Sequence, residues 1–426
     1  MTMHLPQEII DDIIDQLQDS PPSLKTCTWV SHSWLRRARK HLFHSFTFPP
    51  ERTARQWAFQ LDSEQFTNRI RLFISELNES TLEPSLAELV SVLTINFQQP
   101  QLIPLITSNL LFSQLPFNNL RKLSLEKFPP FNRCKPLHFD SFGELLRNNP
   151  YLESLALVRT PFLSANEFIR TMQTISTNSS EKLCSLSLYG VQVPRLKESC
   201  LDSLPSSREE NGKCPPRLQT LDLRCIFDDF WMVSLLEKLF HDSTTSEAPR
   251  TGFFDLGSVQ TVVLGTHWYL YDKVLKNCPL ISLRLDVFLA SMDYASDTAF
   301  CSLVNLTNLE MYNCGTDRRS SGFLVSFITT IPILKRLETF SVAYHKPLPE
   351  PEMTLSGKSP EHLSGFLTPS LDSALSVLHL SNPCIKKVTL ALPSDLGWGV
   401  FSSSRQVYKC LPKTHETGLL NIVFGD

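Results

Sequence analysis

Glycine is scarce in this chain, 14 of 426 residues against 29 prolines. So few glycines supply no phosphate-cradling loop, and no Walker loop, dinucleotide fingerprint, Gly-x-Ser-x-Gly elbow or His-Glu-x-x-His string occurs. Charge of either sign is also in short supply. Forty-three acidic residues nearly balance 40 basic ones, for a net charge of -3, which gives no global reason to bind nucleic acid or anionic lipid. No run approaches the about 18 apolar residues of a membrane-spanning helix, and Met1-Thr2-Met3-His4 lacks the basic start and apolar core of a secretory signal. The 11 cysteines are odd in number and contain no Cys-x-x-Cys pair. They read as reduced thiols of a cytoplasmic and/or nuclear protein. His41 and His44 lie close to His32, but no carboxylate or cysteine completes a metal set. No cofactor, no metal and no catalytic residue is expected, and the chain reads as a non-enzyme.

What is present is apolar patterning. The hydrophobic fraction is 42% and the aromatic fraction 10%, enough for a sizeable core. A chain this long outgrows a single compact core, so several domains or an extended repeat architecture is expected. Near the N-terminus, Ile9, Ile13 and Leu17 follow one another at i+4 with Ile10 and Ile14 beside them, the wide apolar face of a helix. Pro6 suits its first position, and Asp19-Ser20-Pro21-Pro22 ends it. A short element follows from Leu24 to Cys27. A third helix starts after Ser31, a suitable N-cap, and runs to Leu42 with Val30, Trp34, Ala38 and Leu42 on one stripe and Leu35 beside it. Leu5, Ile10, Ile14 and Trp34 exceed what three short helices can bury among themselves. Periodicity alone leaves two readings open, an interface with another protein or packing on the following domain. The basic run Arg36-Arg37-x-Arg39-Lys40 reads as the solvated face of the third helix.

The order Leu5-Pro6-x-Glu8-Ile9, Ile13, Leu17, then Leu24, Cys27, Val30-Ser31-x-x-Trp34 and finally Ala38-Arg39 with Leu42-Phe43 resembles an F-box. That resemblance covers about a tenth of the chain. It implies a small all-helical module over residues 1–48 that binds a Skp-type adaptor and, through it, a cullin–RING ubiquitin ligase. The candidate adaptor-binding residues are Leu5, Pro6, Ile9, Ile10, Ile13, Leu17, Leu24, Val30, Trp34, Leu35 and Leu42. Sequence does not divide them between holding the module together and touching the adaptor. The implied role is substrate recognition in an SCF-type (Skp-cullin-F-box) ligase, with no nucleic-acid or membrane partner. A non-catalytic F-box scaffold acting outside a ligase stays open as the alternative.

Residues 49–426 carry a different pattern. Leu120-x-x-Leu123-x-Leu125 is repeated from Leu152, Leu183, Leu218 and Leu280, more often than leucine abundance accounts for. Looser copies are Val90/Leu93/Ile95, Val259/Val262/Leu264, Leu306/Leu309/Met311, Leu337/Phe340/Val342, Ile385/Val388/Leu390 and Leu419/Ile422/Phe424. Leu375-x-x-Leu378-x-Leu380 also matches, but Leu371 and Ala374 make it a helix. Helices are expected at Phe139 to Arg147, Ala165 to Ile175, Phe230 to Phe240 and Gly322 to Thr329, and long connections at 205–216, 242–257, 346–365 and 393–417. The expected fold class is α/β: the small helical module, then an irregular leucine-rich-repeat-like solenoid with a parallel sheet and outer helices, offering its surface to an unknown protein substrate. The Asn or Cys that such repeats carry three residues after the last leucine is clear only at Cys314, so the usual asparagine ladder is missing.

Overall fold

The computed structural model describes residues 5–48, 63–78, 85–97, 112, 115–127, 139–162, 164–193, 215–224, 235, 239–241, 253–265, 278–287, 303–314, 318–331, 334–344, 367–393 and 404–425. The chain divides into two compact units, Met1–Leu218 with Thr251–Phe254 and Gln219–Arg250 with Asp255–Asp426. Both are α/β. No described helix is long and apolar enough to cross a membrane.

The first unit opens with α1 (Gln7–Gln16), α2 (Pro21–Cys27) and α3 (His32–Leu42). Pro6 stands one step before its expected place, as the N-cap, and its carbonyl accepts the Ile10 amide at 3.3 Å. Pro21 and Pro22 end the α1 pattern and also open α2, where a first-turn residue needs no donor. Ser31 is the N-cap of α3, but its hydroxyl bonds Ser33 Oγ at 2.7 Å instead of a backbone amide. Ile10, Ile14, Leu24, Cys27 and Ala38 form a small core, with Leu17, Trp34 and Leu42 packed against it. Only Phe43 and His44 separate α3 from the first strand, β1 (Ser45–Phe48).

After β1 come α4 (Ser63–Asn78), α5 (Leu86–Leu89), β2 (Val92–Asn96), β3 (Lys122–Glu126), α6 (Phe139–Arg147), β4 (Ser154–Val158), α7 (Ala165–Asn178) and β5 (Ser185–Tyr189). The five strands are parallel and lie in sequence order. Their register aligns Phe46, Leu93, Leu123, Leu155 and Leu186 in one row and Phe48, Ile95, Leu125, Leu157 and Leu188 in the next. Side chains alternate along a strand, so both apolar residues of each Leu-x-Leu face one side. All of the second row is buried, and so is the first row from Leu93 onward.

The second unit contains β6 (Thr220–Leu223), β7 (Thr261–Leu264), β8 (Ser282–Asp286), β9 (Asn308–Cys314), α8 (Arg318–Thr330), β10 (Thr339–Tyr344), α9 (Pro369–Ser381), β11 (Lys387–Pro393), α10 (Ser404–Cys410), α11 (Pro412–Glu416) and β12 (Leu420–Gly425). These seven strands are again parallel and in sequence order, and among the described residues Phe240–His241 and Phe254–Asp255 form a separate two-stranded sheet. Leu375, Leu378 and Leu380 lie in α9 as expected, behind a Thr368 cap whose Oγ1 accepts the Leu371 amide at 3.2 Å.

Two expectations are corrected, and others lie outside the described residues. The last repeat is displaced by two residues, because Leu420 pairs with Val388 and Ile422 with Leu390, leaving Leu419 outside the matching triple. The connection 393–417 contains α10 and α11 rather than a plain loop. Asp372 holds α11 there, accepting the Lys413 and Thr414 amides at 3.1 and 2.8 Å, a tie between α9 and α11 that no local pattern shows. Most of the helix expected at Phe230 to Phe240, and the connection 346–365, lie outside the described residues.

The repeats share a backbone lock. The carbonyl just before a strand accepts two successive amides of the next repeat: His44 O takes Ser91 and Val92, Ser91 O takes Arg121 and Lys122, and Arg121 O takes Glu153 and Ser154. The second unit does the same, as when Ile281 O takes Thr307 and Asn308. Two buried asparagines tie neighbouring turns at a different position, three residues before the first apolar residue of a repeat. Asn149, three residues before Leu152, is fully buried; its amide donates to Phe117 O (3.0 Å) and Leu145 O (2.8 Å) and its Oδ1 accepts the Leu120 amide (2.9 Å). Asn382, three before Ile385, likewise donates to Leu334 O at 2.6 Å. Phe117 and Leu334 occupy the same position one repeat earlier, three before Leu120 and Leu337. Each asparagine therefore ties neighbouring turns and satisfies backbone groups that burial would otherwise leave unpaired.

Candidate functional site

The helical module divides its apolar residues between two faces. Ile10 and Ile14 point inward and are buried with Leu24. Leu5, just before α1, and Ile9 and Ile13, one turn apart on the adjacent row of α1, stay 53%, 46% and 39% exposed. The expectation that Ile10 and Ile14 were the surplus is therefore reversed. Two adjacent rows of isoleucine cannot both face a core built from two short partner helices, and the Ile10/Ile14 row takes it. Leu17, Trp34, Leu35 and Leu42 are half-buried, and Pro6 is exposed.

Val30 is 58% exposed and does not share the α3 stripe, because it lies in the turn before that helix begins. Its neighbour Trp29 was missed by the sequence reading, yet it is 87% exposed. That turn is hydrogen-bonded: Trp29 N donates to Thr26 O at 3.0 Å, Val30 N to Cys27 O at 3.2 Å, and the Thr28 hydroxyl to Lys25 O at 2.7 Å. The signal that could have found Trp29 is a large aromatic in a polar turn, off the apolar stripe of both neighbouring helices. Single exposed apolar residues are common on protein surfaces. A row along a helix and a tryptophan on an ordered turn are the candidates for a docking surface.

An ionic clamp holds this surface in shape. Asp15 on α1 accepts Arg37 Nε at 2.6 Å and Nη2 at 2.5 Å from α3, and His41 Nε2 lies 2.7 Å from its Oδ1. The Arg37 fork, then His41, hold the Asp15 carboxyl well below the usual carboxylate range, and the carboxylate in turn raises Arg37. Arg37 is thus a structural partner within the basic run that was read as a solvated face. His44 at the exit of the module places Nδ1 2.7 Å from the buried Ser91 hydroxyl. Burial, followed by the nearby His41, Lys122 and Lys40 charges, pushes its imidazole below the ordinary histidine range.

No protein-family model matches the chain, and no curated protein matches its sequence.

The sheet surfaces opposite the buried leucines are the second candidate. In the first unit the central row across the strands reads Thr47, Thr94, Ser124, Ala156 and Ser187, small and uncharged. In the second unit the row reads Asp222, Val263, Arg284, Glu310, Ser341 and Thr389. Asp222 grips Arg224 through two oxygens, at 2.9 and 2.5 Å. Arg284 pairs with Glu310 at 3.2 Å. Both guanidinium groups lie over the Tyr312 ring, Arg284 at 4.5 Å and Arg224 at 5.8 Å from its centroid. Burial and the Asp286 charge raise the Tyr312 phenol, while burial pushes the Cys314 thiol up to about 12. Cys314 is therefore an inert core thiol rather than a nucleophile. Among the described residues no group of three or more His, Cys, Asp or Glu side chains could hold a metal ion.

Proposed function

We propose that this chain is the substrate-recognition subunit of an SCF-type ubiquitin ligase, with α1–α3 as an F-box-like module gripping a Skp-type adaptor and the strand repeats as a leucine-rich-repeat-like solenoid presenting a protein substrate. The observation that carries the reading is the exposed set Leu5, Ile9, Ile13, Trp29 and Val30 on a module whose own core is already closed by Ile10, Ile14, Leu24 and Ala38. Burying such a row against a helical partner releases about 25 cal/mol for each Å² of apolar surface removed from water. The chain would contribute no chemistry of its own. Its role is to hold the substrate beside a ubiquitin carrier, which raises the effective concentration of the reacting groups.

The test is titration calorimetry of the full chain against a purified Skp-type adaptor. Ile9→Asp combined with Ile13→Asp, and separately Trp29→Ala, are expected to weaken binding at least tenfold without moving the melting temperature. Trp34→Ala is a poor substitute, because Trp34 packs on the module core. No adaptor binding by the wild-type chain, or equal binding by these folded variants, would sink the proposal.

A further inference from the structure

We infer that the outer edge of β12 pairs with the same edge of a second copy of this chain, antiparallel and about a two-fold axis at Ile422. In the sheet, β12 bonds β11 on one side and, among the described residues, no strand on the other. The Val388 amide donates to Leu419 O at 3.1 Å, so the backbone groups of Leu419 face β11. The N–H and C=O of one residue point to the same side of a strand, and that side alternates from residue to residue. Leu420, Ile422 and Phe424 therefore turn both groups away from β11. Sheets guard such an edge with lysine, proline or a bulge, which keep other strands from joining it. Leu420–Gly425 contains no charge and no proline. Its side chains are also incompletely covered. Leu420, Ile422 and Phe424 continue the buried row of Val388, Leu390 and Leu392, yet Leu420 is buried, Ile422 half-buried and Phe424 38% exposed.

Symmetry decides the occupant. A two-fold interface needs a surface that is complementary to itself, and this edge is one. With Ile422 opposite the partner's Ile422, Leu420 falls opposite the partner's Phe424, and Asn421 opposite the partner's Val423. Each outward N–H then meets an outward carbonyl, as in the hydrogen-bonded pairs of an antiparallel ladder. The three apolar side chains of each copy lie on one face of the joined sheet and cover those of the other. No like charges are brought together, because the edge carries none. A slip of one residue would set the outward groups against residues that already bond β11, and would turn the two apolar rows to opposite faces.

The experiment is sedimentation velocity of the full chain at concentrations up to about 100 μM. The expected result is a reversible dimer that Ile422→Lys and Ile422→Glu each weaken at least tenfold while remaining folded by circular dichroism. An equimolar mixture of the two variants should recover association, since lysine and glutamate then face each other across the axis. A wild type that stays monomeric would overturn the inference and leave the edge to a strand from a different protein. Folded variants that dimerise as well as wild type, or a mixture that associates no better than its components, would overturn it too. A second measurement needs no variant. As wild-type concentration rises, hydrogen exchange should slow at the Leu420, Ile422 and Phe424 amides and change less at Asn421 and Val423, whose amides already face β11. Exchange that does not slow at those three amides as the dimer forms would place the contact elsewhere and overturn the inference. The pairing needs no adaptor, so a chain that dimerises through β12 but binds no adaptor leaves it standing and removes only the ligase reading.

Discussion

The helical module and the strand ladders use apolar side chains in opposite ways. In the ladders, each Leu-x-Leu pair turns inward and is almost wholly buried. In the module, α1 alone carries two isoleucine rows, one closing a core of about five residues and the other left in water. Stability therefore resides mainly in the strand ladders, whereas the module is the part of the chain least able to bury itself. Substitutions at equally apolar positions should then have unequal consequences.

The largest effect is expected within the ladder. Leu155→Ala, in a central strand of the first unit, should cost about 3–5 kcal/mol in urea unfolding; a loss below about 1 kcal/mol would contradict a tightly packed strand row. Next comes Asn149→Ala, which strands the Leu120 amide and two carbonyls in the interior. A destabilisation of about 2–3 kcal/mol is expected, with hydrogen exchange at Leu120 accelerating more than at Leu188. Gly190 adopts a left-handed φ of 63°, and a Cβ there would lie 3.2 Å from Arg159 Cγ. Gly190→Ala should therefore lower stability by about 1–2 kcal/mol, and an unchanged midpoint would show that the turn relaxes freely.

In the module the scale is smaller. Asp15→Asn is expected to cost about 1 kcal/mol, since the pair is partly solvated. Because the folded pKa of Asp15 is depressed, the clamp is fully present above the ordinary carboxylate value of 3.8 and is lost as pH falls through the folded value. Acid titration of the module should flatten in Asp15→Asn, and identical acid profiles would rule out the clamp as a pH-linked support. Smallest of all, Ile9→Asp should change stability by no more than about 0.5 kcal/mol, although it lies one residue from the core residue Ile10. A large loss would mean that Ile9 packs inside the protein and would erase the contrast.

Much of the ladder was legible because a period of two and a repeated Leu-x-x-Leu-x-Leu string leave few ways to arrange a strand. Helix α6 has the expected ends, and α7 and α8 differ only by extension. What could not be read depends on contacts distant in sequence. The asparagine tie joins Asn382 to a carbonyl 48 residues away, and the lock of α11 joins Thr414 to Asp372 across 42 residues. The buried row of α1 was misread for another reason: a helix with apolar residues at both i and i+1 positions does not reveal which row its neighbours will cover. Trp29 escaped because stripe-based reading gives no weight to a residue in a turn. The Tyr312 cluster depends on strand register, which places Asp286 beside Tyr312 and which no single strand specifies.

The passage from α3 to β1 takes only Phe43 and His44. The Phe43 amide still bonds Arg39 O at 2.9 Å, and the His44 carbonyl already serves β2. A flexible tether would let an attached body sample a wide volume, diluting the chance that two distant groups meet. Here the exit of the helical module is welded to the first rung of the sheet. Whatever grasps α1 thereby acquires a fixed handle on that sheet, and the reach from one to the other is set by the lengths of folded elements rather than by the wandering of a linker.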